Sequence, residues 1–94
     1  MYKEGTYGFC DYRAVGGVDV CVTCDWLSTT ANTTKKLGTL PSGLRPKVSA
    51  MGVGYIRGYG GIGQLSVDSD GSVSVWCNTT NAGFFGASVT FPLP

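Results

Sequence analysis

The acidic side chains that could perform chemistry are few, and Asp68 and Asp70 stand out because only Ser69 separates them. Two carboxylates can act as acid and base in glycoside hydrolysis. The segment ends in Gly71, so it is also typical of a hairpin turn in which Asp side chains accept hydrogen bonds from nearby amides. It lacks the later glutamate of a calcium loop. The chain has no histidine, which excludes Ser-His and Cys-His nucleophilic pairs. We therefore predict a turn here, no catalytic residue and no metal site.

Four cysteines form a second candidate group: Cys10, Cys21, Cys24 and Cys77. Cys21 and Cys24 have the spacing of a zinc-binding pair. They lie, however, in a run with β alternation, where residues three apart point to opposite faces. The alternation places Cys24 in the core and Cys21 outside, where it could meet Cys10 across a hairpin. We predict free thiols without metal or cofactor, and one disulfide or a zinc site stays open as an alternative.

The elements that must position these residues are β-strands, because apolar and polar residues alternate along most of the chain. Every second residue from Val18 to Trp26 is predicted to face the core. Gly16-Gly17 supplies the positive φ angles of a tight turn. Residues 9–26 are therefore predicted to form a β-hairpin with the Trp26 side chain buried.

Turn signals divide the rest of the chain. The polar stretches 28–36 and 78–83 are predicted to be exposed loops. Pro41-Ser42-Gly43 suits a type I turn, and residues 85–91 alternate as a last strand. Six to seven short strands separated by turns favour an all-β fold, a small antiparallel β-sandwich of jelly-roll type.

Length and composition limit the classes of function. Ninety-four residues make one domain, 1–94, in which residues 1–8 could be an extended N-terminal arm of a longer protein. The net charge is +1 without a basic cluster, so we expect no nucleic-acid partner. No apolar run approaches a membrane span, and we expect no membrane insertion. Only 14% of residues are charged and 43% are hydrophobic, which favours a domain with surface buried in an oligomer.

Four segments together carry a family pattern. They are Tyr12-Arg13-Ala14-Val15-Gly16-Gly17, Gly38-Thr39-Leu40-Pro41-Ser42-Gly43-Leu44-Arg45-Pro46, Asp70-Gly71-Ser72-Val73 and the aromatic closing strand 84–91. Over residues 9–91 the chain resembles the C-terminal domain of tail-fibre, baseplate or other receptor-binding appendage proteins of tailed bacteriophages and prophages. The resemblance implies a homotrimer in the virion tail, assembled in the bacterial cytoplasm and joined to the rest of the tail or baseplate. It implies host attachment, which we expect to use a surface saccharide, or alternatively a trimerisation or capping role without receptor contact.

Exposed aromatic residues are the candidate ligand-binding groups within this expectation. Trp76 alternates with Val73 and Val75, so it should face outward. Sugars stack on aromatic faces while Arg, carboxylate and amide groups give directional hydrogen bonds. The same residue types are enriched at protein interfaces, so a trimer interface is the competing interpretation. The predicted ligand-binding set is Trp76, Tyr55, Arg57, Tyr59, Asp68 and Asp70. Arg45 is expected to bond loop carbonyls or a neighbouring subunit's carboxylate.

Overall fold

The computed structural model describes residues 1–58 and 60–94. Tyr59, one of the predicted ligand-binding residues, lies outside the described residues. The strands are β1 (Tyr2–Glu4), β2 (Gly8–Val15), β3 (Asp19–Thr29), β4 (Thr33–Thr39), β5 (Ala50–Ile56), β6 (Ile62–Val67), β7 (Ser72–Cys77) and β8 (Asn81–Pro92). A short 3₁₀ helix, Ser42–Leu44, lies between β4 and β5. The described ranges contain no α-helix, and the antiparallel all-β prediction is confirmed.

The eight strands form one sheet in the order β1-β2-β3-β8-β5-β6-β7-β4. The sheet curls so far that its two edge strands meet through side chains. Lys35 on β4 forms an ion pair with Glu4 on β1, and a Cβ at Gly38 would lie 2.7 Å from Cγ of Met1. The result is a nearly closed barrel whose last gap is bridged by side chains and not by a backbone ladder.

The interior holds one apolar cluster contributed by strands from all around the barrel. Val20, Val22 and Cys24 on β3 face inward, as the alternation predicts. Phe85 on β8 is fully buried at the centre of the cluster. The remaining buried apolar residues are Cys10, Leu27, Leu37, Leu40, Ile56, Leu65, Val67, Val73, Val75, Cys77, Val89 and Phe91.

Both predicted hairpins are confirmed. Strands β2 and β3 pair from Val15↔Asp19 onward, and Gly16 and Gly17 both have positive φ in the connecting turn. Strands β6 and β7 are joined by the segment that ends in Gly71, whose φ is 91°. Local turn chemistry therefore identified both connections correctly.

The predicted loop 28–36 is wrong over most of its length, and the predicted loop 78–83 is wrong over its second half. Strand β3 continues to Thr29 and β4 begins at Thr33, so only residues 30–32 turn. Strand β8 begins at Asn81, which leaves residues 78–80 as the connection. The first segment is polar because β4 is an edge strand that pairs only with β7, and edge strands tolerate Lys and Thr on the side exposed to water. The predicted N-terminal arm contributes β1, which pairs with β2.

Candidate functional site

The predicted acidic pair forms the β6–β7 turn. The backbone amide of Ser72 donates to Asp70 Oδ1 at 2.9 Å, and Ser49 Oγ donates to Asp68 Oδ1 at 3.1 Å. The amide hydrogen bond from Ser72 lowers the pKa of Asp70 below its ordinary value. Both carboxylates thus hold local structure, as expected for turn residues.

The structure does not bring the predicted ligand-binding residues together. Tyr55 pairs with Ile62, and Val67, which precedes the acidic turn, is five residues further along β6. At about 3.3 Å per residue the turn lies roughly 16 Å from Tyr55. Trp76 faces outward as predicted and is half-buried, but Gln64 separates it from β5. The acidic turn therefore lies apart from Tyr55 and Arg57, whereas Trp76 lies on the same outward side as Tyr55 but two strands away.

Sequence reasoning placed Trp26 in the core, and the structure contradicts that prediction. Cys24 pairs with Ala87 and Leu27 pairs with Phe85, so two residues of β3 oppose the single Gly86 of β8. Because of this β-bulge, the next residue after Cys24 to face the core is residue 27 and not residue 26. Leu27 takes the core site, and Trp26 becomes 38% exposed. Trp26 has a φ of 54°, a conformation that is strained for a bulky residue.

A second irregularity lies opposite the first. Between Leu27↔Phe85 and Ser28↔Ala82, strand β8 has two extra residues, Gly83 and Phe84. Gly83 has a φ of 112°, and the amides of both extra residues donate to Asn81 Oδ1. The two bulges bring Trp26 and Phe84 to the border of the same surface groove.

Arg57 and Asp25 fix the position of the Trp26 ring. The Arg57 guanidinium carbon lies 4.5 Å from the ring centroid of Trp26, within the range of a cation–π contact. The same guanidinium forms a two-pronged ion pair with the Asp25 carboxylate, and its Nε donates at 3.3 Å. A Cβ at Gly86 would lie 2.6 Å from Asp25 Oδ1, so a side chain at position 86 would displace the Asp25 carboxylate. The Tyr7 ring lies beside that of Trp26, with the two centroids 6.5 Å apart and the planes tilted by 54°.

Two grooves adjoin the group formed by Trp26, Arg57 and Asp25. The Trp26 groove has a volume of about 350 Å³ and lies between the β1–β2 turn and the bulge of β8, with Tyr7, Trp26 and Phe84 in its walls. Glu4 also borders it. Burial raises the pKa of Glu4, but hydrogen bonds from Lys35, Ser28 and Tyr2 outweigh burial and lower the pKa to about 2. The groove is therefore aromatic with one ionised carboxylate at its edge.

The second groove, which we name the β8 furrow, has a volume of about 290 Å³. Its floor is the nearly side-chain-free stretch 86–88 of β8. Val53 and Tyr55 border it on the β5 side, and Thr23 and Asp25 border it on the β3 side. Arg57 lines the furrow and contacts Trp26, so it stands between the two grooves.

The cysteines are arranged differently from the predicted hairpin contact. Cys10 pairs directly with Cys24, whereas Cys21 pairs with Arg13, so the predicted approach of Cys21 to Cys10 is wrong. All four thiols are free. A hydrogen bond with Cys10 and burial raise the pKa of Cys24. Hydrogen bonds from Thr90 and Thr23 lower the pKa of the partly exposed Cys21. Cys21 and Cys24 face opposite sides of the sheet and do not share a metal geometry.

The sequence contains a weak signal for the missed bulge. Trp26 and Leu27 are adjacent large apolar residues in a run that otherwise alternates, and such a pair cannot both face the core of a regular strand. The pairing partner on β8 is sixty residues away, so the compensating bulge had no local signal.

Arg45 donates to the carbonyl of Leu40 at 3.0 Å, which is one of the two contacts expected for it. Within residues 1–58 and 60–94, no cluster of three or more His, Cys, Asp or Glu side chains has metal-binding geometry. The same ranges contain no helix long and apolar enough to cross a membrane.

Fold and site define an antiparallel all-β, barrel-like domain with an exposed aromatic groove beside an Arg–Asp ion pair. Comparison of the chain with protein-family models gives no match, and comparison with curated proteins gives none either.

Proposed function

We propose that this chain is a non-catalytic recognition domain of a phage or prophage tail-fibre or baseplate protein, which attaches the virion to a bacterial surface saccharide. The saccharide would lie in the Trp26 groove. The observation that supports this proposal most is the bulge that turns Trp26 out of the core and holds it at a φ of 54°. Strained conformations cost roughly 1–3 kcal/mol and cluster at ligand sites.

The groove has the features that sugar binding requires. Aromatic walls offer flat apolar surface to the C–H face of a pyranose, and a few fixed polar groups give direction. Arg57 and Asp25 already satisfy each other, so they hold the Trp26 ring and keep its geometry when the groove is empty. Thr6 and Glu4 stand at the rim and can exchange hydrogen bonds with sugar hydroxyls.

We propose further that the domain is a jelly-roll-like member of its class and works as a homotrimer on the virion tail, after assembly in the bacterial cytoplasm. Three weak sites on one trimer raise avidity through effective concentration without any new contact. The alternative is a structural trimerisation or capping domain that contacts no receptor. It is favoured if the aromatic residues are covered by neighbouring subunits.

The test is binding of the full chain to a glycan array and to cells of candidate hosts, followed by titration with the best saccharide. Trp26→Ala should weaken binding by roughly 10- to 100-fold, or about 1.4–2.7 kcal/mol. Trp76→Ala is the matched control, because it removes the other of the two tryptophans and should leave the affinity unchanged. Equal affinities for wild type and Trp26→Ala would exclude the Trp26 groove. Absence of binding to every saccharide and host would favour the capping role.

A further inference from the structure

Charged residues occupy only one half of the sheet. Strands β5, β6, β7 and β8 contain no Asp, Glu, Lys or Arg, and every charged residue within a strand lies on β1–β4. The four uncharged strands are contiguous in the sheet, in the order β8-β5-β6-β7. Depletion of charge together with Met and aromatic residues is typical of the centre of protein interfaces. We call the outward side of these four strands the uncharged face.

An apolar ridge runs along the uncharged face. Met51, Val53 and Tyr55 point outward from β5, and Ile62 pairs with Tyr55 on β6. These four side chains are between 60% and 75% exposed. Together they present apolar surface on the order of 500 Å², at the upper end of what a monomeric protein leaves exposed. An exposed apolar patch of this size is often a site of contact with another protein.

The ridge lies directly beside a recess of matching chemistry. The β8 furrow borders Val53 and Tyr55, and its floor of Gly86, Ala87 and Ser88 rises little above the backbone. One copy of the chain therefore carries a protruding apolar strip and an adjacent shallow channel on the same face. Each copy can therefore place its ridge in the furrow of one neighbour and accept the ridge of another in its own furrow.

We propose that a second copy of this chain packs on the uncharged face, with its ridge in the β8 furrow of its neighbour. Four strands about 4.8 Å apart and six residues of about 3.3 Å give a patch of roughly 19 by 20 Å. The flat area of about 400 Å², enlarged by the protruding side chains, is shared between two neighbours in a ring of three, so each contact lies at the small end of the range for specific interfaces. A charged partner would bury its ions against the four uncharged strands without counter-charges. The charged groups that border the furrow, Arg57 and Asp25, already neutralise each other within one chain.

The direction of the contact suits a closed ring. Eight strands around a nearly closed barrel lie about 45° apart, and the ridge on β5 neighbours the furrow on β8. Three copies around one axis need two contact surfaces about 60° apart, each meeting a different neighbour. The stoichiometry of three rests on the homotrimer proposed above, but the identity of the contact face does not.

The oligomeric state of the full chain, measured by size-exclusion chromatography with light scattering at micromolar concentration, tests the inference. Wild type should have three times the chain mass. Val53→Asp places a charge on the ridge and should weaken association by roughly tenfold or more. Val18→Asp is the matched control, because Val18 is 64% exposed in the β2–β3 turn, and its association should equal that of wild type.

Ser88→Arg provides a second variant, which fills the furrow from the other side of the contact. Ser88 is exposed, so this variant should fold, and circular dichroism checks that it does. A monomeric wild type, or folded Val53→Asp and Ser88→Arg chains that associate like wild type, would overturn the inference. Saccharide affinity per site should be unchanged in Val53→Asp, whereas Trp26→Ala should change affinity and not mass. Failure of the interface and failure of the saccharide site are thus observed separately.

Discussion

At position 26, replacement by glycine should leave the chain more stable than replacement by alanine, which is the opposite of the order at ordinary strand positions. Trp26→Ala and Trp26→Gly both remove the ring and its contact with Arg57, so their difference in stability reports the backbone alone. An L-residue at positive φ costs about 1–2 kcal/mol. Glycine escapes that cost but loses about 0.5–1 kcal/mol of conformational entropy. Trp26→Gly should therefore be more stable than Trp26→Ala by roughly 0.5–1 kcal/mol.

The loss of stability on truncation of Trp26 should be much smaller for an exposed ring than for a buried one. A half-exposed Trp26 ring contributes a cation–π contact of about 0.5–1 kcal/mol and some packing at the groove wall. Truncation of a core tryptophan costs about 3–5 kcal/mol. The bulge therefore predicts a loss on truncation to alanine well below 3 kcal/mol, and regular alternation along β3 predicts a loss above it.

Urea unfolding of the variants, followed by circular dichroism at one protein concentration, measures these differences. A gap of 0.5–1 kcal/mol corresponds to about 2–8 °C in Tm for a domain of this size. Thr23 supplies the control pair, because it is an exposed β3 residue outside the positive-φ positions. Thr23→Gly should be less stable than Thr23→Ala. If glycine is the less stable residue at position 26 as well, β3 has no bulge there and the account of the Trp26 groove is refuted.

Two further predictions concern ionisable groups. The pKa of Glu4 lies at about 2 in the folded chain, below its ordinary value of 4.5. The hydrogen bonds that Lys35, Ser28 and Tyr2 give to Glu4 should therefore contribute stability above pH 4.5 that is lost as the pH falls through about 2. The loss should be well below about 3 kcal/mol, because water screens these partly exposed groups. Glu4→Gln should flatten the unfolding free energy across that pH window, and an unchanged profile would contradict the role given to these hydrogen bonds. A thiol reagent should label Cys21 rapidly in the native chain, since its pKa is lowered and its side chain is partly exposed. The three buried cysteines should react only on unfolding, and mass spectrometry of the labelled peptides distinguishes this order from uniform reactivity.

The sequence predicted those parts of the fold that depend on local chemistry. Alternation located β2 and β3 and the inward residues Val20, Val22 and Cys24, whereas Val18, predicted to face the core, is 64% exposed in the turn before β3. Gly-Gly and Asp-Gly marked the two hairpin turns. The alternation of apolar and polar residues did not predict strand β4, because an edge strand needs no apolar outer face. Its alternation is hidden by Thr and Lys on both sides of Leu37.

The candidate site could not be predicted because it depends on pairing between distant strands. The bulge at Trp26 exists only relative to Gly86, and the position of Phe84 is set by the two residues that β8 inserts opposite Leu27. A bulge adds a residue without changing the composition of the strand. A prediction from alternation therefore assigns the residues that follow the bulge to the wrong side of the sheet. Arg57 was selected correctly, since an outward Arg beside aromatic residues suits both interfaces and ligand sites.

Arg57 also links the two proposals physically. Its guanidinium contacts the Trp26 ring and is held by Asp25, while its side chain closes one end of the β8 furrow. A neighbouring subunit seated in the furrow would meet this guanidinium already paired with Asp25, so it would bury no lone charge. The pair holds the Trp26 ring within one subunit, so the affinity of each saccharide site should not depend on trimer assembly. Arg57→Lys preserves the charge but cannot form the two-pronged contact or stack flat on the ring. Its saccharide affinity should therefore fall while its trimer mass is retained, and equal affinity in Arg57→Lys and wild type would show that the groove does not depend on this contact.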